Sequence, residues 1–340
     1  MTPPTDKEFF PEASARFAEV VESLRGQSVV VLGHRRPDGD CIGSQVALTR
    51  CLLALGIDAI AINPDTIPRT LQSFVGDTPF GGPDALPDGE LTSIYVDCSD
   101  RERSSKELAE RFSEPVLNID HHISNEGFAK IDLVLSDACA TGEILTGFFL
   151  DNSYPIDAVT AQALYLGIAT DTGQFRYRGA NQRVFRLCDR LCGLGASPAD
   201  AANELYEKQN PGRIQLLQRF LESFRFECEG RVCIGLLQPA DYHETGALPE
   251  DSENLVDYAR SLENVDIGAL IEERDGMIKG SLRAKQNRFR VDLLAKQMNG
   301  GGHACAAGFN LDGDLDGFYA SFVEAVSSHL EKVDRSGFES

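Results

Sequence analysis

The chain has 340 residues, 42% of them hydrophobic and 25% charged, and a net charge of −21 at neutral pH. That length allows two domains with separate cores, and no apolar run approaches the roughly 20 residues that span a bilayer. So negative a chain lacks the broad basic surface that holds long DNA or RNA by counterion release; short pieces bound in a small site, with metals offsetting its charge, fit better. The opening MTPPTDKEFF has neither the basic head nor the apolar core of a signal peptide. Nine cysteines without a paired metal-type spacing read as reduced thiols, so a cytoplasmic protein with no membrane association is expected.

In chain order, residues 7–25 read as an amphipathic helix with Phe10, Phe17, Val20, Val21 and Leu24 on one side. A strand at 28–33, a helix at about 41–55 ending at Gly56, and a strand at 57–62 follow. The segment 63–90 is rich in Pro, Gly and Asp and reads mostly as loop, with a short helical turn after Pro68. Strand 92–97, helix 104–112 and strand 115–119 continue the alternation, and helices at about 140–151, 157–170 and 181–193 complete the first half. Apolar strands separated by helices indicate a parallel sheet covered on both faces.

Residues 194–213 are polar, punctuated by Gly and Pro, and form the expected boundary, partly helical in expectation. Beyond it, strands at 223–229, 231–237, 265–273 and 276–284 are joined by short turns, with helices at 253–262, 289–298 and 314–331. The expected fold class is α/β: an N-terminal, mostly parallel five-stranded sheet flanked by helices (1–193), a linker (194–213) and a smaller C-terminal α+β domain (214–340).

Clusters of acids and histidines sit at the ends of the apolar segments. His34, Asp38 and Asp40 follow the first strand, Asp97 ends strand 92–97, Asp120, His121 and His122 follow strand 115–119, and Asp171 lies just beyond helix 157–170. Each has an ordinary reading: Asp97 as a helix cap, Asp171-Thr172-Gly173 as a turn, adjacent histidines as polar surface. Ligands of parallel sheets bind where the carboxyl ends of the strands gather, so the first three clusters converge by topology and the fourth is expected to join them. So many carboxylates and imidazoles at one edge repel or suffer desolvation unless cations neutralise them. Asp and neutral His suit divalent ions such as Mn²⁺, and two such ions clamp both oxygens of a phosphoryl displacement.

HRRPDGDCIGS (34–44), YVDCSD (95–100), NIDHH (118–122) and GIATDTGQF (167–175) resemble, in order, the motifs of the DHH phosphoesterase family, and GGGHACAAGF (300–309) resembles the signature of its C-terminal DHH-associated domain. The match runs over about 15–330, and length and domain content are most similar to bacterial nano-RNases that also dephosphorylate 3′-phosphoadenosine 5′-phosphate (pAp). The resemblance implies two Mn²⁺ ions, with Mg²⁺ or Co²⁺ as substitutes. His34 and Asp38 would bind one ion, Asp40, His121 and Asp171 the other, and Asp97 would bridge them. It further implies Asp120 as a residue orienting an imidazole, and His122 as a contact to the scissile phosphate or a proton donor to the leaving oxygen.

In the C-terminal domain, Gly300, Gly301 and Gly302 would let backbone N–H groups approach a phosphate, with His303 and Arg283 as further donors; without the resemblance, the glycines read equally well as a flexible turn. The activity implied is hydrolysis of short oligoribonucleotides to mononucleotides and of the 3′-phosphate of pAp. The partners are short RNA or a nucleotide bisphosphate, not long duplexes, with a homodimer compatible. A hydrolase of linear dinucleotides (pApA or pGpG), a longer single-strand exonuclease, or a nucleotide sensor without catalysis stand as alternatives. Arg35, Arg36, Ser44, Gly43, Glu143 and His243 read as surface or packing residues.

Overall fold

The valine run after Gln27 forms β1 (Ser28–Leu32), buried from Val29 onward. β-branched residues favour the pleated backbone, and burial on both faces removes the alternation of a half-exposed strand. The computed structural model describes residues 9–177, 179–274 and 276–336 and divides into two compact units, 1–208 and 209–340. Residues 7 and 8 of the expected first helix, and Asp275 in the expected RDG turn, lie outside the described residues.

In the first unit, β2 (Asp58–Ile62), β3 (Phe80–Gly81), β4 (Thr92–Val96), β5 (Leu117–Asp120) and β6 (Ile131–Val134) join β1 in a sheet of order β3-β2-β1-β4-β5-β6. Every pairing is parallel, with Val29–Leu32 against both Ala59–Ile62 and Thr92–Tyr95. The sheet has six strands rather than the expected five, and of these both β3 and β6 lie outside the four strands placed by position. β3 is only two residues long and sits inside the expected loop, held where Ala61 N–H donates to the Pro79 carbonyl and Asn63 N–H to that of Gly81. Two residues carry no readable period.

The helices of this unit are α1 (Pro11–Ser23), α2 (Gly39–Ala54), α3 (Lys106–Arg111), α4 (Thr141–Asp151), α5 (Ala158–Asp171), α6 (Gln182–Gly193) and α7 (Pro198–Ala202). α2 is buried along nearly its whole length, and α5 crosses it closely because Gly43 has no side chain: a Cβ there would lie 2.3 Å from the Ala163 carbonyl oxygen. Within the expected, partly helical boundary 194–213, residues 198–207 are helical, and Ala196 and Ala201 enter this core. Ser197 also exchanges two hydrogen bonds with the Gln162 amide. Their polar sequence hid the small apolar side chains that anchor them.

The second unit contains α8 (Pro211–Glu222), β7 (Arg225–Glu227), β8 (Val232–Leu237), α9 (Pro239–Thr245), α10 (Val256–Ser261), β9 (Ile267–Arg274), β10 (Met277–Ala284), α11 (Val291–Lys296), β11 (Gly301–His303), β12 (Ala306–Asp312) and α12 (Leu315–Ser336). Its sheet has order β11-β12-β10-β9-β8-β7, antiparallel except for β8 beside β9. Ile278, Leu282 and Ala284 alternate into a core shared with α11 and α12, the period-2 pattern of a strand with one apolar face. No helix among the described residues is long and apolar enough to cross a membrane.

Candidate metal and phosphoester site

The strand order reverses between β1 and β4, and such a switch point opens a crevice at the carboxyl ends of the strands. The loop after β1 begins at Gly33, where a Cβ would fall 2.5 Å from Cys41 Sγ. The His34 carbonyl is held by Asn63 Nδ2 at 3.1 Å. His34 Nδ1 lies 2.9 Å from the Arg35 carbonyl, which can only accept, so Nδ1 carries the proton. Nε2 then faces Asp97 Oδ2 at 3.3 Å and Asp38 Oδ1 at 3.7 Å. Asp38 also caps α2, accepting from the N–H groups of Asp40 and Cys41, and keeps its side chain 56% exposed.

Asp40 is fully buried. Its Oδ2 accepts from Thr141 N–H at 2.6 Å and its Oδ1 from Gly142 N–H at 2.8 Å, so it caps α4 from 101 residues away. Ala140 before that helix has no capping side chain. Asp97 occupies the left-handed region at φ 58°, unusual for a residue with a side chain. Its N–H donates to the Ile119 carbonyl, and its Oδ1 lies 3.5 Å from His121 Nε2 and 3.2 Å from Thr141 Oγ1. Asp171, the last residue of α5, brings Oδ2 to 3.2 Å from His121 Nε2, with Asp40 Oδ2 at 4.0 Å.

All six residues expected as ligands thus gather at this edge. Asp97 stands between two sets of donor atoms, His34 and Cys41 on one side and Asp40, His121 and Asp171 close by, each set lying within 4.8 Å. Cys41, one of the nine thiols, is among these groups. Asp120 is fully buried and accepts from the His121 backbone N–H at 2.8 Å, from His122 Nδ1 at 2.6 Å and, on Oδ2, from Asn125 Nδ2 at 2.7 Å. The imidazole it orients is therefore that of His122.

Without a cation this cluster is overcharged. Burial, then the charges of Asp97 and Asp38, pushes the Asp40 carboxyl well above its ordinary range. Burial, then Asp40, Asp38 and Asp97, does the same to Asp171. Carboxyls whose proton affinity is raised at this edge, beside Nε2 of His121 and Nε2 of His34, the latter with its Nδ1 engaged, are a donor set suited to divalent cations. His122 is raised too: burial opposes this, but the hydrogen bond to Asp120 and the charge of Asp97 outweigh it.

Residues 28–168 match the DHH family, N-terminal domain, and residues 231–332 match the DHHA1 domain. The chain is 30% identical over 323 residues to the bifunctional oligoribonuclease and PAP phosphatase NrnA of Thermus thermophilus, covering 94% of each chain. The chain belongs to the DHH family. As a DHH phosphoesterase it is a hydrolase, and this family depends on divalent metal. The NrnA of Bacillus subtilis is 22% identical, over 86% of this chain and 92% of its own. An exopolyphosphatase-related protein from Bacteroides fragilis shares the fold at TM-score 0.87 and 23% identity, over 95% of this chain and 98% of that one.

Sequence reading passed over Thr141, Gly142 and Asn125, which hold Asp97, Asp40 and Asp120. The available signal was Ala140, which leaves the start of α4 without a side-chain cap of its own. Glu143, in the first turn of α4, is fully buried and paired with Arg183 Nε at 2.6 Å, while accepting the Cys139 N–H. Ser44 Oγ lies 3.4 Å from Asp40, and Arg35 and Arg36 are exposed.

In the second unit, Arg283 pairs with Ala306, and Ala306 pairs with His303. Directly opposed residues of neighbouring strands share a face, so Arg283 and His303 flank Ala306 on the face opposite Leu282. Arg283 donates from Nη1 to the Leu282 carbonyl at 3.1 Å, and its Nε lies 4.0 Å from Asp257 Oδ1. Gly301 and Gly302 belong to the edge strand β11, with Gly300 just before it. A Cβ at Gly300 would sit 2.2 Å from the Gly308 carbonyl, and Gly302, at φ 142°, would place one 2.5 Å from that of Ala306. Gly301 has open space around the same position.

Proposed function

We propose that the chain hydrolyses short oligoribonucleotides to mononucleotides and removes the 3′-phosphate of pAp, using two Mn²⁺ ions held by His34, Asp38, Asp40, Asp97, His121 and Asp171. The observation that carries the reading is the Asp97 carboxylate, with one oxygen toward His34 and the other toward His121, the disposition of a ligand shared by two ions. When bound, such a pair neutralises charge on the phosphate oxygens and lowers the pKa of an attacking water.

The protein's own groups do the rest. The Arg35 carbonyl keeps the proton on Nδ1 of His34, so Nε2 presents its lone pair as a ligand. Asp120 holds His122 through Nδ1 and favours its protonated ring, so Nε2 of His122 is the atom that would pass a proton to the leaving oxygen. Thr141 and Gly142 clamp Asp40. In the second unit, Arg283 and His303 would take the substrate's phosphates by charge-assisted hydrogen bonds, with the Gly301 backbone as a close-approach surface and Gly300 and Gly302 shaping the strand that carries it.

The charge of −21 supports short substrates, because a long polyanion gains no counterion release on an acidic surface. Turnover of pAp, two- to five-nucleotide RNAs, diadenylate, diguanylate and long single-stranded RNA, compared at fixed Mn²⁺, tests the reading. Fastest turnover is expected for pAp and the shortest RNAs. Equal or faster digestion of the long strand would overturn the short-substrate assignment, and no turnover of any of them would overturn the catalytic one.

A further inference from the structure

Thr141 touches both carboxylates at the heart of the site without being a candidate ligand. Its N–H donates to Asp40 Oδ2 at 2.6 Å, and its hydroxyl lies 3.2 Å from Asp97 Oδ1. These two acids come from different parts of the chain, Asp40 from the start of α2 and Asp97 from the end of β4. Thr141 is fully buried and opens α4, an 11-residue helix. Its backbone cannot shift without releasing Asp40, because Asp40 is what caps the helix.

The backbone of Asp97 is pinned at φ 58° and by its N–H to Ile119. That sets the Cβ direction but leaves the carboxylate free to rotate about its own bond, and this rotation decides which oxygen faces His34 and which faces His121. Imidazoles cannot fix it once they act as ligands. With Nδ1 of His34 bonded to the Arg35 carbonyl, Nε2 carries no proton in the neutral ring and has nothing to donate. A hydroxyl can donate, and β-branching restricts where threonine aims it.

We propose that Thr141 is a positioning residue for the metal centre: its hydroxyl sets the rotation of the Asp97 carboxylate so that one oxygen serves each ion, while its backbone holds Asp40. This inference rests on the metal reading given above. It differs from a packing role, because a packing role needs only the shape of the side chain, and valine supplies that shape without the donor.

The test uses the full chain. Mn²⁺ binding to the parent, Thr141→Val and Thr141→Ser is measured by calorimetry after chelation. The melting temperature of each is then recorded with and without Mn²⁺. Thr141→Val should bind Mn²⁺ about tenfold more weakly or worse, as losses of residues supporting metal ligands do, with a smaller metal-induced rise in melting temperature. Thr141→Ser, which keeps the hydroxyl, should stay within about threefold of the parent on the same scale. Thr141→Ala removes the donor without adding bulk and carries the same expectation if valine disturbs folding. Parent-like Mn²⁺ affinity in both Thr141→Val and Thr141→Ala overturns this proposal alone, as does a serine variant as weak as valine. A parent chain that takes up no Mn²⁺ overturns the metal reading itself and this proposal with it.

Discussion

Asp120 Oδ1 lies 2.6 Å from Nδ1 of His122, with the acid fully buried and the imidazole only about a tenth exposed, so little solvent competes for that hydrogen bond. The acid accepts on both oxygens, with Asn125 Nδ2 on the second. An asparagine in its place must turn its NH₂ group toward either Asn125 or the donors on Oδ1. Asp120→Asn is therefore expected to lower kcat about 10- to 100-fold while leaving the metal content unchanged. Turnover of diadenylate beside elemental analysis of the same samples checks this. Metal lost in proportion to activity would assign the acid to the ligand set instead.

The raised carboxyls make metal-free stability depend on pH in a definite direction. Asp40 and Asp171 bind protons more tightly folded than unfolded. Their contribution is fully present below the unfolded carboxylate value, about 4, and is lost as pH rises through the elevated folded values. Chelated protein should therefore lose melting temperature as pH rises above the ordinary carboxylate range, about 4, relative to Mn²⁺-saturated protein, whose cations replace those protons. Proton release on Mn²⁺ addition, measured in buffers of different ionisation enthalpy, gives a second readout. Parallel melting curves with and without metal across that range would count against the acids as ligands.

Gly43 sets the approach of α2 to α5. Adding a methyl group 2.3 Å from the Ala163 carbonyl oxygen cannot be absorbed by a side-chain rotation, because the obstacle is backbone. Gly43→Ala should cost about 1–3 kcal/mol in urea unfolding and should also weaken Mn²⁺ binding, since Asp40 lies one turn earlier on the same helix. A variant with parental stability would show that the two helices can separate freely.

The glycine run separates packing from substrate contact. Gly300→Ala drives a Cβ into the Gly308 carbonyl and should lower the melting temperature, whereas Gly301→Ala meets open space and should not. If the Gly301 backbone approaches a substrate phosphate, Gly301→Ala should raise KM for diribonucleotides about tenfold, equivalent to about 1.4 kcal/mol, at unchanged melting temperature. An unchanged KM would leave Arg283 and His303 as the substrate contacts of that unit.

Much of this was legible from residue type and spacing. A valine strand that stops at a glycine and then presents His34, Asp38 and Asp40 is a local pattern, and so are the tips carrying Asp97 and the Asp120–His122 triplet. What escaped were short or indirect elements. Two-residue β3 and four-residue β6 are too short to show a period, and the polar stretch 194–213 gave no sign that Ala196 and Ala201 are buried. Thr141 looked like an unremarkable helix start because its partners are dozens of positions away in sequence.

The sequence by itself determined the chemistry on offer, acids and imidazoles at the carboxyl ends of parallel strands, because polarity and periodicity belong to each segment separately. Only the tertiary structure decided how those groups pair: β1 beside β4 at the reversal of strand order, Asp40 capping a helix 101 residues on, Asp120 serving His122, and Gly301 open where Gly300 and Gly302 are crowded. The reason is physical. Which oxygen meets which proton depends on how closely α2, α4 and α5 pack and on how completely they exclude water, and neither property is carried by any one segment.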